Sequence, residues 1–228
     1  MELTPRLKKI AGLLPDKAKT LADIGTDHAY LPVYCLLNGI CENAIAMDVN
    51  EGPLKRAEEN TKKYNLEDKI SLRLSDGIQK LKKGEADVIV IAGMGGLLIQ
   101  KILEEGKDIL TLGTKLILQP MIAQEELREY LFSNGYAIEN EYVVSEGSKF
   151  YNIFCVTFGK ETKYCYDDII VGRNLKKNSP EIFEDYVTYK MNVLQKIITG
   201  MEKSASKKNT ADVKRALDAF KRSKNDED

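Results

Sequence analysis

The chain has no long apolar run. No stretch reaches the roughly 18 consecutive apolar residues that are needed to span a bilayer. Its first residues, MELTPRLKKIAGLLPDK, have neither the long apolar core nor the small-residue cleavage site of a signal peptide. These absences predict a cytoplasmic protein that does not contact a membrane.

Metal-binding patterns and a strong net charge are also missing. The four cysteines, Cys35, Cys41, Cys155 and Cys165, form no CxxC pair, and the net charge is -1. The cysteine spacing predicts neither a zinc site nor a disulfide framework, so we expect no metal. Without a basic excess, any nucleic-acid binding has to come from local patches. Nothing in the sequence implies an obligate protein partner.

The length and composition predict a folded protein with two parts. The 228 residues, 43% hydrophobic and 30% charged, have the profile of a soluble globular protein. This length accommodates a domain of roughly 150 residues together with a second, smaller unit.

Residues 20 to 160 alternate short β-branched runs with stretches of helical period, which predicts an α/β fold with a doubly wound, mainly parallel sheet. The last two strands are separated only by SEGSKF, which is too short for a crossover helix and predicts an antiparallel hairpin. Five parallel strands and a final hairpin form the Rossmann-like seven-stranded sheet of class I methyltransferases, whereas a dehydrogenase would normally add a sixth parallel strand. The strand candidates are Thr20–Gly25, Ala44–Val49, Ile70–Leu74, Ala86–Ala92, Lys115–Gln119, Tyr136–Val144 and Tyr151–Phe158, and the helix candidates are Gly52–Tyr64, Leu97–Leu110 and Gln124–Asn134.

The pattern changes over residues 160–178, which are polar and read as irregular. We therefore expect a catalytic domain over 1–162 and a helical domain over 163–228. Ser179 and Pro180 are a typical cap and first-turn pair for a new helix. Apolar residues then recur at spacings of three and four, which predicts one seam of a long helix. The residues of this seam are Ile182, Tyr186, Tyr189, Val193, Ile197 and Met201.

A second helix is predicted over residues 210–221, after a polar turn with the sequence SASKKN. Val213, Leu217 and Phe220 share one face of this helix. The sequence thus predicts a small all-α helical hairpin of coiled-coil type, with the final NDED frayed.

The loop after the first strand, DIGTD, carries the first candidate site. Dinucleotide-binding turns have the pattern GxGxxG, so that the backbone approaches a pyrophosphate, but here only Gly25 is present and Asp27 occupies the second glycine position. Asp27 would repel a diphosphate, whereas Asp23 and Asp27 favour the cationic sulfonium and ammonium groups of S-adenosylmethionine. Thr26 completes the loop. A helix-capping Asp after a tight turn would give much the same pattern.

Two more acidic residues end the next two strands. Asp48, followed by Val49 and Asn50, stands where a carboxylate accepts hydrogen bonds from both ribose hydroxyls. The third strand ends in Ser75, Asp76 and Gly77, where Asp76 can accept from an adenine amine and Gly77 allows close backbone approach. Each Asp taken alone is equally consistent with a strand-end turn. Carboxylates after three successive strands together predict a pocket for adenosine and an amino-acid cation.

The fourth and fifth strands end in candidate substrate residues. Ala92, Gly93, Met94, Gly95 and Gly96 follow the fourth strand, beside the expected methyl group, and lack the Asn/Asp-Pro-Pro-aromatic loop of many amino-methyltransferases. The glycines would leave a groove for a flat base, although a flexible turn before a helix explains them equally.

The fifth strand leads into Gln119, Pro120 and Met121, which would line the far side of that groove.

His28 and Tyr30 follow the cofactor loop directly. His28 is a candidate proton acceptor, although a lone histidine is more often a structural hydrogen-bonding residue. Tyr30 is a candidate for stacking on the target base, and its alternative role is packing of the first helix.

Five segments together resemble the bacterial tRNA (adenine-22-N1)-methyltransferase family, TrmK. They are ADIGTDHAYLP (22–32), AIAMDVNEGPLKRAEEN (44–60), LSDGI (74–78), IAGMGGLLIQKIL (91–103) and LILQPM (116–121). The resemblance runs from Pro5 to about residue 160, and the C-terminal helices fit that family's coiled-coil appendage. It implies S-adenosyl-L-methionine as cofactor, tRNA as partner and N1-methyladenosine as product. For this reaction we hypothesise that Tyr30 stacks on the base and that Asp27 or His28 accepts the proton that the product releases, so these three are the candidate catalytic residues.

Two residues depart from that family's pattern. Met121 stands where the family usually has Asn, which removes an amide that could touch the substrate. Thr26 stands where Ser is common, and its hydroxyl is retained.

The stretch from residue 163 to 224 is rich in basic residues that could contact tRNA. These are Arg173, Lys176, Lys177, Lys190, Lys196, Lys203, Lys207, Lys208, Lys214, Arg215, Lys221 and Arg222. A solvated helical surface balanced by acidic residues is an equally good interpretation. The balancing residues would be Glu181, Glu184, Asp185, Glu202, Asp212 and Asp218.

Two alternative functions remain open at this point. The first is a class I methyltransferase with another substrate, and the second is a catalytically idle RNA-binding protein on the same fold.

Overall fold

A seven-stranded sheet forms the centre of the protein. The structure is a computed structural model, and it describes residues 1–16, 18–160, 163–203 and 210–225. The strands are β1 (Ala18–Ile24), β2 (Cys41–Asp48), β3 (Ile70–Leu74), β4 (Val88–Met94), β5 (Lys115–Pro120), β6 (Tyr136–Glu146) and β7 (Lys149–Phe158). Their order is β3-β2-β1-β4-β5-β7-β6. Strands β1 to β5 are parallel, and β7 is antiparallel to both β5 and β6. This arrangement confirms the predicted Rossmann-like seven-stranded sheet and its final antiparallel β-hairpin.

Helices cover both faces of the sheet. They are α1 (Pro5–Ala11), α2 (Tyr30–Leu37), α3 (Glu51–Lys63), α4 (Gly96–Glu105), α5 (Gln124–Ser133), α6 (Tyr166–Ile170), α7 (Leu175–Asn178), α8 (Pro180–Lys203) and α9 (Ala211–Asn225). Buried side chains of α1, α2 and α3 pack with one face of the sheet, and those of α4 and α5 pack with the other. The parallel strands are therefore covered on both sides, as their continuous apolar character requires.

Most predicted bounds differ from the structure by a few residues. The predicted helix Leu97–Leu110 is wrong beyond Glu105: α4 ends there, and a short 3-10 helix follows over Lys107–Ile109. An added Cβ at Gly106 would overlap the Ile78 side chain, so a glycine stands where the helix turns away. The hairpin strands run further than predicted because Gly147, with φ +60°, allows a two-residue turn.

The described residues between 163 and 178 are more regular than the sequence suggests. The short helices α6 and α7 lie in this stretch, so the prediction of irregular structure is wrong over Tyr166–Ile170 and Leu175–Asn178. Apolar residues on these two helices, Ile170 and Leu175, pack into a third cluster with Val143 of β6 and with α8 and α9. Their burial stabilises helices that are too short to persist alone.

The predicted seam of α8 is only partly correct. Tyr186 is buried, but Tyr189, Val193 and Ile197 are exposed. The buried face instead carries Phe183, Tyr186, Val187 and Ile198. Helix α8 packs against α9 and also against β6, so its buried face is turned toward two neighbours rather than one partner helix.

The second helix forms as expected, with Leu217 and Phe220 buried in the cluster around α8. Ser179 and Pro180 do precede and begin α8, yet the Ser179 hydroxyl accepts a hydrogen bond from the Val143 N–H of β6 at 3.0 Å. The predicted SASKKN turn and the NDED end fall wholly or largely on residues 204–209 and 226–228, outside the described residues.

A buried ion pair joins the sheet to the C-terminal helices. Arg128 and Glu141 are fully buried, and the Arg128 Nε donates to Glu141 at 2.9 Å. Arg128 also donates to the Ile169 carbonyl, and the Arg173 N–H donates to Glu141. Burial raises the pKa of the Glu141 carboxyl, although Arg128 opposes the shift. The division into 1–162 and 163–228 stays a proposal, with the two parts sharing a core across it.

None of the helices in the described part of the chain combines the length and apolar character that a bilayer span requires. The same residues contain no cluster of three or more side chains able to hold a metal ion.

Candidate active site

The strand register brings the predicted carboxylates to one end of the sheet. Ile24 pairs with Met47 and with Ile91, and Asp48 pairs with Leu74. The carboxyl ends of β1 to β4 therefore lie side by side, where open α/β sheets bind their ligands.

The loop after β1 is built around Gly25. The N–H groups of Gly25 and Thr26 both donate to the Met47 carbonyl, at 2.8 and 2.9 Å. Gly25 has φ +72°, and an added Cβ would overlap the methyl group of Met94. Glycine is thus favoured here by its left-handed conformation, whereas the methyl group at the flexible end of Met94 could shift to admit a Cβ. The loop bends without the further glycines of a dinucleotide-binding turn.

Asp23 is a buried carboxylate beside this loop, only 7% exposed. The Thr26 hydroxyl donates to its Oδ2 atom at 2.6 Å. Burial raises the pKa of Asp23 to about 6; the Thr26 hydrogen bond opposes the shift, and Asp27 and Asp48 add to it. A carboxylate in this state is stabilised by an incoming cation, because the cation replaces the water that burial removed. The hydrogen bond from the Thr26 hydroxyl holds the Asp23 carboxylate in place.

A cavity of about 240 Å³ opens between the β1 loop and the end of β4. It brings together six of the predicted site residues with three others, Arg6, Leu7 and Leu31. The six are Asp23, Gly25, Asp27, Tyr30, Ala92 and Gly93. Its charged lining consists of the carboxylates of Asp23 and Asp27 and the guanidinium of Arg6. That combination fits a zwitterionic amino-acid group, which carries both an ammonium and a carboxylate.

Arg6 is the charged one of the three cavity residues that the sequence motifs did not predict. It lies on α1, which begins at Pro5 and whose Leu7 N–H donates to the Thr4 hydroxyl. The Arg6 guanidinium donates to the Gln119 side-chain oxygen at 2.5 Å and lies 5.1 Å from the Tyr151 ring centre. The segment Pro5-Arg6-Leu7 marks the start of the family resemblance, and this was the signal available in the sequence.

Gln119 organises the end of β4 from a fully buried position. The register between β4 and β5 shifts between Ala92 and Met94, which makes Gly93 a bulge with φ +77°. The Gly93 N–H donates to the Gln119 side-chain oxygen at 3.1 Å. Bulges of this kind redirect the backbone next to active sites. Gln119 thus supports both Gly93 and Arg6 rather than facing the cavity itself.

His28 and Tyr30 form a parallel pair of rings, of which Tyr30 lines the cavity. Their centres are 5.0 Å apart and their planes differ by 2°. The His28 Nε2 atom lies 3.3 Å from the Asp27 carboxylate, and Tyr30 is 38% exposed. All three predicted catalytic residues are therefore neighbours. Their arrangement depends on a left-handed turn, since His28 and Ala29 have φ of +56° and +53°.

The predicted ribose and adenine residues lie outside the cavity, along the same end of the sheet. Asp48 accepts from the Asn50 N–H at 2.7 Å, and Val49 between them is exposed. The Ser75 hydroxyl donates to the Gly77 carbonyl at 3.0 Å and shapes the turn. Asp76 is exposed beside this turn. Val49 and Asp76 are thus exposed at this end of the sheet, whereas Ser75 is buried.

The remaining substrate candidates do not line the cavity. Gly96 is buried at the start of α4, where its N–H donates to the Ile122 carbonyl at 2.8 Å and an added Cβ would overlap the Ala123 carbonyl. Gly95 caps that helix, and Pro120 is buried at the end of β5. Gly96 has a packing reason to be glycine, so its small size alone is no sign of a base-binding groove.

A larger cavity of about 600 Å³ lies between α3 and β3. Its lining residues include Glu51, Lys55 and Glu58 on one side and Ile70 and Leu72 on the other. It includes none of the carboxylates at the strand ends, and the chemistry described above does not extend to it.

The strand order and the acidic cavity at the carboxyl ends of β1 and β4 define a class I methyltransferase dependent on S-adenosylmethionine. The family described as TrmK, tRNA (adenine(22)-N(1))-methyltransferase, matches residues 21–222. The chain belongs to this family.

Curated and solved relatives agree with that membership. The Bacillus subtilis tRNA (adenine(22)-N(1))-methyltransferase is 39% identical over 211 residues, covering 90% of this chain and 88% of the relative. The crystal structure of Bacillus subtilis TrmK has a TM-score of 0.86 at 35% identity and covers 97% of this chain and 98% of that one. Streptococcus pneumoniae Sp1610, solved with S-adenosyl-L-methionine, has a TM-score of 0.84 at 32% identity, with coverage of 97% and 99%.

Proposed function

We propose that this protein transfers a methyl group from S-adenosyl-L-methionine to N1 of adenine 22 in tRNA. The observation that carries the proposal is the cavity that Asp23, Asp27 and Arg6 line together with the Gly25 turn. The family to which the chain belongs, and the activity named for its Bacillus subtilis relative, supply the substrate. A nicotinamide dinucleotide is disfavoured, because Asp27 would face its diphosphate.

The residues present fit the cofactor by their chemistry. Asp23 and Asp27 are the partners for its cationic groups, and Arg6 is the partner for its carboxylate. Asp48, with Val49 and Asn50, would hold the ribose, and Ser75, Asp76 and Gly77 would hold the adenine ring. Ala92 and Met94 stand beside the Gly25 turn. When bound, S-adenosylmethionine supplies an electrophilic methyl group.

The methyl transfer depends mainly on the positioning of the adenine against the methyl group. Adenine N1 carries a lone pair and needs no deprotonation before it attacks, so orientation and charge stabilisation dominate over a strong base. Tyr30 stacks on the base, and the Gly93 backbone, which lines the cavity, faces its amine edge in this proposal. Gln119 and Pro120 support that wall from β5. Asp27 or His28 accepts the proton that the cationic product releases later.

The role of Tyr30 is tested by Tyr30→Ala. Loss of stacking should reduce methyl transfer at limiting tRNA by about tenfold, since stacking on an aromatic side chain is worth about 1–3 kcal/mol per base. Tyr164→Ala is the matched control, because Tyr164 is also exposed, at 42%, and stacks on another ring, that of Phe132. Full activity of Tyr30→Ala would remove Tyr30 from the scheme.

The function itself is tested by methyl transfer from labelled cofactor to unmodified tRNA, followed by mapping of the modified nucleotide. A tRNA with guanine at position 22 is the control substrate. Incorporation at adenine 22 that disappears with this control is the expected result. Incorporation elsewhere, or only into small molecules or protein, would favour a methyltransferase of another specificity. Absence of cofactor binding by calorimetry would favour an idle RNA-binding protein.

The basic C-terminal stretch is a weaker candidate for the tRNA interface than its sequence suggests. Lys214, Lys221 and Arg222 form ion pairs with Glu202, Asp218 and Asp167. These pairs support a balanced surface. Lys196 and Lys203 on α8 are exposed, whereas Lys207 and Lys208 lie outside the described residues.

Lys196→Glu combined with Lys203→Glu should weaken tRNA binding and reduce its dependence on salt if this surface contacts phosphates. An unchanged salt dependence would exclude these two lysines. With tRNA as substrate, we also propose a cytoplasmic location without an obligate protein partner.

A further inference from the structure

We propose that Asn60 is a positioning residue for the methyl-transfer site, because its side chain holds the turn that presents His28 and Tyr30. The Asn60 Nδ2 atom donates to the His28 carbonyl oxygen at 2.9 Å across 32 positions of sequence. Asn60 lies on α3, the helix that follows the β2 carboxylate. This inference rests on the function proposed above.

The turn needs an external support because its backbone is unfavourable. His28 and Ala29 are both in the left-handed region, which favours glycine, and Ala29 is completely buried. Two consecutive non-glycine residues of this kind persist only where the surroundings hold them.

The sequence explains why a side chain supplies that support. Hydrogen bonds from the Tyr30 and Val33 N–H groups satisfy the carbonyls of Asp27 and Ala29. By the four-residue spacing of the bond from the Val33 N–H to the Ala29 carbonyl, the donor for the His28 carbonyl would be residue 32, which is Pro32 and has no N–H. The Asn60 amide therefore takes the place of a backbone donor.

The consequence concerns the ring pair. In this turn the His28 ring is parallel to the Tyr30 ring and its Nε2 atom approaches Asp27. Loss of the Asn60 hydrogen bond frees the His28 peptide to leave the left-handed region, and both rings lose their relative orientation. A misplacement of about 1 Å in a reacting group can reduce the rate about a hundredfold, even when the mutated residue touches no substrate.

The test compares Asn60→Leu, which keeps the shape and removes the donor, with Asn38→Leu. Asn38 also donates its side-chain amide to a backbone carbonyl, that of Tyr34, at the other end of α2. We expect Asn60→Leu to lower kcat for tRNA methylation by about tenfold to hundredfold. The cofactor Kd should stay within about threefold, since Asp23 and Gly25 are anchored separately. Asn38→Leu should retain full kcat.

A second variant separates positioning from general loss of structure. Ala29→Gly removes the cost of the left-handed conformation at that position, so combining it with Asn60→Leu should restore part of the lost kcat. If wild-type protein methylates tRNA and Asn60→Leu matches Asn38→Leu, the positioning role is wrong. It is equally wrong if the kcat loss follows a lowered thermal midpoint and Ala29→Gly rescues nothing. If the wild-type protein does not methylate tRNA, the proposed function fails instead.

Discussion

Asp23→Asn should make the protein more stable at neutral pH while removing its affinity for the cofactor. Burial raises the pKa of Asp23 from 3.8 to about 6. Because one pKa unit corresponds to about 1.36 kcal/mol, the ionised carboxylate costs the folded protein about 3 kcal/mol when no cation is bound. An amide of the same shape avoids this cost and can still accept the Thr26 hydrogen bond.

The pH dependence follows from the direction of the shift. A carboxyl whose folded-state pKa is raised favours the folded state in its protonated form. That contribution is complete below pH 3.8 and is lost as pH rises toward 6. The stabilisation of Asp23→Asn over wild type should therefore be small at pH 4, grow through pH 5 and 6, and reach at most about 3 kcal/mol by pH 8.

Urea unfolding of the cofactor-free protein at several pH values measures this difference. Asp27→Asn is the control, since the Asp27 side chain is 80% exposed and its substitution should change stability by less than about 0.5 kcal/mol. A difference between Asp23→Asn and wild type that is constant from pH 4 to pH 8, or a loss of stability at pH 8, would refute the reasoning. The expected result would identify Asp23 as a residue that is kept for binding at the expense of stability.

Cofactor affinity measured by calorimetry should fall about tenfold from pH 7 to pH 5, because Asp23 must lose its proton to meet a cation; a flat profile would contradict this. Gly96→Ala should lower the thermal midpoint more than Gly52→Ala, since both glycines lie in helices but only at position 96 does an added Cβ overlap a backbone atom, the Ala123 carbonyl oxygen. Equal effects would remove the packing argument. Glu141→Gln should cost about 3–5 kcal/mol in urea unfolding, because it leaves the charge of Arg128 buried without a partner. Adding Arg128→Met should recover most of that loss, and no recovery would mean that the pair is not the cause.

The sheet and the cofactor loop could be predicted because their signals are local. The alternation of strands and helices sets the topology, and the single glycine in DIGTD with Asp23 and Asp27 indicates the ligand's charge. The roles of Arg6 and Gln119 could not be predicted in this way. Arg6 reaches the site from α1 through a side-chain contact across 113 positions, and no periodicity records such a contact.

The C-terminal part shows a second limit of sequence patterns. Spacings of three and four identify a helix but allow more than one apolar face, and α8 contains two such faces. Val187 is buried and Tyr189 is not, because β6 and α9, which lie elsewhere in the chain, pack against the face of α8 that carries Val187. Patterns of one helix therefore predict its existence better than its orientation.

The docking of the C-terminal helices has a consequence for aggregation. Strand β6 is the last strand of the sheet, so within the described part of the chain one side of its backbone has no neighbouring strand. The Ser179 hydroxyl and the Asn178 amide bond to the Val143 N–H and the Glu141 carbonyl of that strand. An outermost strand with unpaired peptide groups can pair with a strand of another chain. The two contacts leave the Val143 N–H and the Glu141 carbonyl already bonded. The helical appendage thus also hinders pairing of a second molecule with β6 at Glu141 and Val143.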